Sequence, residues 1–322
     1  KYAIVYWLGS ALLYLLAFRD ERRHLRRFLG TIALALVIYA PNFLWNWRHG
    51  FVSYHHTEDN AALAGAGLHP ANLLDFLGSQ FGVFGPLFFA TLIVLIVLSG
   101  RALRERRAAL LAFFALPTLA LMLAESLLSR AEPNWAAPAY LSATVLVVAW
   151  LLTCNLRVII IVSIALHVAA AAVLLELKPL AAAVGYDLPG KYDPLHRLRG
   201  WRRLGDAVGR ILAVNPGAIL LADDREEIAA LEYYVRPHPF NALKWNGEGG
   251  VHDQFDLTAD PDRLIGRSFL LVSQAPDISP ILARFGAAGP VQHVIIPLGP
   301  GMARQYTVRL LSDFKGYARP RD

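Results

Sequence analysis

Long apolar runs separated by short polar turns fill the first half of the chain, and the pattern changes abruptly near residue 177. Residues 2–18, 28–44, 76–98, 108–128, 139–153 and 158–175 are each roughly long enough to cross the ~30 Å hydrocarbon layer of a bilayer as a helix. Beyond residue 177, glycine and proline punctuate a segment of ordinary charge density. There, apolar residues recur at helical spacing over 201–213 and 224–235. Short strand-like runs stand at 218–221, 269–273, 291–297 and 306–311. The pattern predicts a polytopic α-helical membrane domain of about six transmembrane helices over residues 1–176, followed by a small α/β soluble domain over 177–322. The second part is long enough to bury its own core. No internal repeat or low-complexity run is visible.

Charge gives this pattern a direction. Arg19, Arg22, Arg23, Arg26 and Arg27 share one turn, Arg101, Arg104, Arg106 and Arg107 another, and Arg157 lies in a third. The intervening turns hold only Arg48 and Arg130. Basic turns stay cytoplasmic, so the loop 45–75, the loop 129–138 and the tail are expected on the opposite, extracytoplasmic face. A hydrophobic fraction of 56%, a charged fraction of 17% and a mean hydropathy of +0.41 fit a membrane protein better than a soluble chain. The net charge of +6 is explained by the cytoplasmic turns, which argues against nucleic acid as a partner. Cys154, the only cysteine, precludes an internal disulfide. The chain opens at Lys1 and enters an apolar segment at once, without a signal-peptide pattern. It reads as a fragment: its first helix runs inward, so an odd number of crossings is expected before it.

The loop after Pro41 and Asn42 is dense in chemistry: Trp45-Asn46-Trp47-Arg48-His49-Gly50-Phe51, then Tyr54-His55-His56-Thr57-Glu58-Asp59-Asn60. Trp45 and Trp47 suit interfacial anchoring. Arg48 departs from the charge bias, and its planar guanidinium suits a phosphate at the head-group level. An ordinary surface or snorkelling arginine is the alternative. His55, His56, Glu58 and Asp59 are metal-type or acid/base-type side chains without a fixed ligand spacing. A solvated loop competes there with a divalent-metal or acceptor contact.

The link Ser129-Arg130-Ala131-Glu132-Pro133-Asn134-Trp135-Ala136-Ala137-Pro138-Ala139-Tyr140 puts several hydrogen-bonding groups beside the bilayer between two prolines. It reads either as part of a substrate site or as a structural turn. Glu125, one helical turn earlier, is an acid near hydrocarbon. His167, in mid-span, reads as a helix-packing histidine. Asp223, Asp224, Arg225 and Glu226 read as a helix start with acidic caps.

Three stretches carry a resemblance: 41–51; Phe76-Leu77-Gly78-Ser79-Gln80-Phe81-Gly82-Val83-Phe84-Gly85-Pro86; and Glu132-Pro133-Asn134-Trp135-Ala136-Ala137-Pro138-Ala139-Tyr140. Together with Leu221-Ala222-Asp223-Asp224-Arg225 and Leu231-Glu232-Tyr233-Tyr234 in the tail, they resemble the C-terminal portion of bacterial GT-C membrane glycosyltransferases. This is the glycosyltransferase family 39 type, related to protein O-mannosyltransferases and the aminoarabinose transferases of lipid A. The resemblance implies a multi-pass protein of the bacterial inner membrane with a periplasmic C-terminal domain. It implies transfer of a sugar from a polyprenyl-phosphate carrier to an acceptor glycan, lipid or protein, with or without a divalent metal. It places the catalytic acidic loop upstream of Lys1. Arg48, His49, Arg130, Glu132, Asn134 and Trp135 would then contact substrate or lipid phosphate, and His55, His56, Glu58 and Asp59 a metal or the acceptor. Two other classes stay open: a transporter or flippase of an anionic lipid-linked substrate, for which no broken helix is visible in the sequence, and a non-catalytic membrane-anchored module.

Overall fold

A computed structural model describes residues 4–54, 67–98, 100, 105–247, 249–258 and 261–317. The chain divides into two compact units, residues 1–170 and 171–322.

In the first unit α1 (Ile4–Ala17) leads through a 3-10 turn, Arg19–His24, into α2 (Leu25–Arg48). Then come α3 (Pro70–Val83), α4 (Pro86–Leu98), α5 (Arg106–Leu128), α6 (Ala137–Thr153) and α7 (Arg157–Ala183), the last of which runs on into the second unit. Among the described residues, four helical stretches are long and apolar enough to span a membrane: Arg19–Arg48, Arg106–Leu128, Pro133–Thr153 and Arg157–Ala183. The pair α3 and α4 makes a fifth if counted as one span. The expected count of six is not confirmed: α1 has 14 described residues, and the expected span 76–98 is broken, its two helices meeting at a bend of 118°.

Local sequence permits the break, and a neighbouring helix fills it. Gly85 adopts φ +87°, a conformation that side chains disfavour, and Pro86 has no N–H with which to continue the helix. The imidazole of His167 occupies the space a Cβ on Gly85 would need. That imidazole is held by a 2.6 Å hydrogen bond from Nδ1 to the Ser163 carbonyl, so the expected packing role of His167 is to fill the bend.

Helices α3 to α6 share one core, with Phe84, Phe88, Leu92, Met122, Leu146 and Leu151 at its centre. Ala112 and Ala115 on α5 and Ala139 and Ala143 on α6 are buried in it, small residues of the kind that let membrane helices approach closely. The outward residues of α2 and α7, such as Val37, Ile38, Val158 and Ile161, are exposed and apolar, as a lipid-facing surface requires.

The two ends of α5 have different neighbours. At its first turn, Arg106 pairs with Asp20 at 2.9 Å and Glu21 at 3.6 Å, so two of the basic turns lie together. At its far end, the Leu127 carbonyl accepts from the His69 amide at 2.7 Å, and the Ser129 carbonyl from Asn72 Nδ2 at 2.6 Å. These contacts are a helix of 23 residues apart, ~34 Å at the usual helical rise.

The second unit is a six-stranded mixed sheet. Helix α8 (Trp201–Ala213) precedes β1 (Ile219–Ala222), α9 (Arg225–Tyr234), β2 (Leu243–Lys244) and β3 (Phe269–Ser273). Strands β4 (Phe285–Ala288), β5 (Gln292–Gly299) and β6 (Met302–Phe314) follow. β1 is parallel to both β2 and β3, while β6 runs antiparallel to β3 on one side and to β4 and β5 on the other. One face of the sheet packs Leu220, Val272 and Val308 under Leu204, Val208, Ile228 and Leu231 of α8 and α9. The other face packs Phe269, Phe285, Leu311 and Phe314. The four strands read from sequence are present. β2 and β4 were not visible there because two and four residues carry too little alternation.

Candidate functional site

The link after α5 and the start of α3 form one hydrogen-bonded assembly. Besides the contacts at Leu127 and Ser129, Gln80 on α3 is buried and donates from Nε2 to the Pro133 carbonyl at 3.3 Å. The Tyr140 hydroxyl donates to Gln80 Oε1 at 2.5 Å, and its ring stacks on Phe84 with centroids 4.2 Å apart. Pro133 and Pro138 stand in the first turns of successive helical segments, where a missing N–H is tolerated. Two of the three sequence stretches carrying the resemblance, 76–86 and 132–140, are thus joined through Gln80 and Tyr140.

On this frame Arg130 projects into solvent, with Nη2 3.2 Å from Glu132 Oε1. The pair is open, its side chains 78% and 47% exposed, and so contributes little stability. Asn134 is exposed, Trp135 half-buried against the helical core, and Glu125 half-buried one turn back along α5. An accessible guanidinium, a carboxylate and an amide on one short link can bind a phosphoryl oxygen and hydroxyls. At the Tyr140–Phe84 stack, Phe84, Phe88, Tyr140, Thr144, Ile164 and His167 line an apolar cleft of about 420 Å³.

The second predicted stretch ends α2. Asn46 is fully buried and organises the turn: its Nδ2 donates to the Asn42 carbonyl at 3.0 Å, its Oδ1 accepts from the Ser53 amide at 3.2 Å, and its carbonyl accepts from Phe51 at 2.7 Å. His49 stacks on Trp45 at 4.3 Å and donates from Nδ1 to the Trp45 carbonyl at 2.7 Å. Arg48 and Trp47 are exposed. The main contacts of α2 are with the Arg19–His24 turn and α1, and α1 in turn packs on α5, the helix that leads into the Arg130 link. His55, His56, Glu58 and Asp59 lie outside the described residues. Among the described residues, no three His, Cys, Asp or Glu side chains gather as a metal site.

Gln80, Tyr140, Asn72 and His69 were not singled out from the sequence. Gln80 and Tyr140 stand within the resembling stretches, which was the available signal. In the second unit, Asp224 caps α9 as expected, accepting from the amides of Glu226 at 2.7 Å and Glu227 at 3.1 Å. The burial of Glu227 has no local sequence signal, since its position is that of one more acid in the first turn of α9.

These features define a multi-pass helical membrane protein with a small mixed-sheet domain. The chain is similar to the lipid A galacturonosyltransferase RgtD of Rhizobium johnstonii, at 26% identity over 238 residues, 73% of this chain and 49% of that protein. The chain spans about half the length of the curated relative it matches. No family model matches the chain, and no solved structure matches it.

Proposed function

We propose that the chain is part of an inner-membrane glycosyltransferase that moves a sugar from a polyprenyl-phosphate carrier to a lipid acceptor on the periplasmic face. The observation that carries this reading is the exposed Arg130–Glu132–Asn134 link on the Gln80–Tyr140 frame. It lies at the end of α5 away from the basic turns, which positive-inside bias assigns to the cytoplasm. The apolar cleft that Tyr140 of the frame lines suits a hydrocarbon tail. Arg130, and Arg48 from the other stretch, would hold the departing phosphate, and a fixed cation where negative charge develops accelerates transfer without a proton donor for the leaving group. Lipid as the acceptor class follows the name of the relative.

Arg130→Ala in the complete protein should lower transfer on the order of a hundredfold with membrane insertion unchanged. Unchanged turnover removes Arg130 from the site. The break between α3 and α4 favours a second reading, since transporters build substrate sites at discontinuous helices. In sealed vesicles, movement of a lipid-linked sugar across the bilayer without a transferred product would select that reading.

A further inference from the structure

In the second unit, the strand order β2-β1-β3 creates a topological switch point, where open α/β sheets form a crevice outside the strand ends. The connection through α9 leaves β1 toward β2, while β3 joins the other edge of β1. The parallel connections therefore diverge at the carboxyl ends of β1 and β3, the place where open α/β sheets bind ligands.

The residues at that point converge from four elements. Asp223 and Asp224 follow β1, Glu227 sits in the first turn of α9, and Ser273 and Gln274 stand at the end of β3. Ser273 pairs with Thr307, which brings Tyr306, the next residue of β6, beside the end of β3, with Arg304 beyond it. Ser273 Oγ donates to Asp223 Oδ2 at 2.6 Å. Gln274, exposed at the mouth, donates from Nε2 to Glu227 Oε1. Arg304 lies over the Trp201 ring at 3.8 Å and donates to the Arg197 carbonyl at 2.7 Å.

The unusual feature is what remains unsatisfied. Glu227 is 2% exposed and Tyr306 1%; Glu227 Oε2, Arg304 Nη1 and the Tyr306 hydroxyl are buried without a hydrogen bond of good geometry, although Arg304 comes close enough to the Tyr306 hydroxyl to act on it as a donor. Leaving such groups unmet costs more than an ordinary hydrogen bond gains. Each of the three residues is within electrostatic reach of the other two. They offer an acceptor next to donors, a combination that a hydroxyl, itself both donor and acceptor, completes. Asp223, Asp224 and Glu227 oppose a phosphate, and Arg304 opposes a metal ion or ammonium.

We propose that this crevice binds an uncharged sugar ring. Ring hydroxyls donate to Glu227 and Asp223 and accept from Tyr306, Arg304 and the amide of Gln274, which swings off Glu227 as the ring enters. The site itself follows from the geometry; the choice of a sugar among hydroxyl-bearing ligands rests on the transferase reading.

The test is ligand-observed NMR on the full chain in detergent with methyl glycosides of glucose, galactose and mannose, and with a methyl glucuronide. At least one neutral glycoside should saturate at tens of millimolar or below, and the uronide should bind more weakly than its neutral counterpart. Glu227→Gln and Gln274→Ala should each weaken that binding about fivefold or more, the worth of one net hydrogen bond. The exposed Gln274 keeps the test readable if a buried substitution unfolds the unit. Three results overturn the proposal: no glycoside saturates, so that the crevice holds water only; binding is indifferent to both variants; or the uronide is preferred. Transfer that persists without glycoside binding removes this proposal alone. Binding that persists in a complete protein without transfer removes the transferase reading and leaves the crevice.

Discussion

Glu227 shows how far one side chain departs from what its neighbours in sequence suggest. Burial pushes its carboxyl up to about 7; the bond from Gln274 opposes this, the charges of Asp223 and Asp224 add to it, and Arg304 lowers it. A carboxyl raised in the folded state binds its proton more tightly there than in the unfolded chain. Stability from this group is therefore full below pH 4.5 and is lost as pH rises to about 7, staying level above. Urea unfolding of the full chain at pH 5 and pH 8 should show wild type losing stability relative to Glu227→Gln across that interval. A difference between the two proteins that does not change with pH would mean the carboxyl is hydrated. The same burial, with Glu227 adding and Arg304 opposing, pushes the Tyr306 phenol up to about 12, so it stays a donor at every pH of interest. Asp224 was readable in the sequence because capping is a local event, an acid two and three residues before the amides it accepts. The burial of Glu227 depends on a strand 47 residues away and was not.

The bend between α3 and α4 is the clearest case of an element misread from its apolar content. Residues 76–98 are apolar enough to be one span, and hydropathy cannot register a change of direction. Gly85 and Pro86 were in view as a signal, but glycine and proline also occur within continuous membrane helices, where neighbours re-satisfy the freed backbone groups. Contact with α7 decides the outcome, because the His167 ring stands where a side chain at residue 85 would go. Gly85→Ala should destabilise the helical unit by ~1–3 kcal/mol from the backbone conformation, with a further steric loss. Adding His167→Ala should return only the steric part. Thermal unfolding in detergent followed by circular dichroism measures both, and a double variant no more stable than Gly85→Ala would deny the contact. The link 129–140 fared better. Its two prolines mark an irregular connection, while the support that Gln80 gives to Pro133 and Tyr140 comes from α3, more than 50 residues earlier.

For the chain as a whole, the disposition of arginines predicts sidedness, and the structure adds that the Arg19–His24 turn and the start of α5 meet through Arg106. Cys154, exposed at the end of α6, provides a natural probe. In intact cells with a permeabilised outer membrane, an impermeant maleimide should leave Cys154 unlabelled. In a Cys154→Ser background, the same reagent should label a cysteine introduced by Val291→Cys in the sheet domain. The reverse pattern would invert the proposed orientation and move the Arg130 link to the cytoplasm.

By itself the sequence determined that the chain holds membrane-crossing helices followed by a mixed α/β unit, which turns carry the positive charge, and where the prolines interrupt. These are properties of contiguous residues: helical apolar length, strand alternation and charge density are set by neighbours within a turn or two. Tertiary structure alone decided the 118° break, the attachment of the Arg130 link to Gln80 and Tyr140, and the meeting of Glu227, Arg304 and Tyr306 at one crevice. Each depends on packing or strand register between residues far apart in the chain, and a periodicity read within a short window carries no information about such pairings.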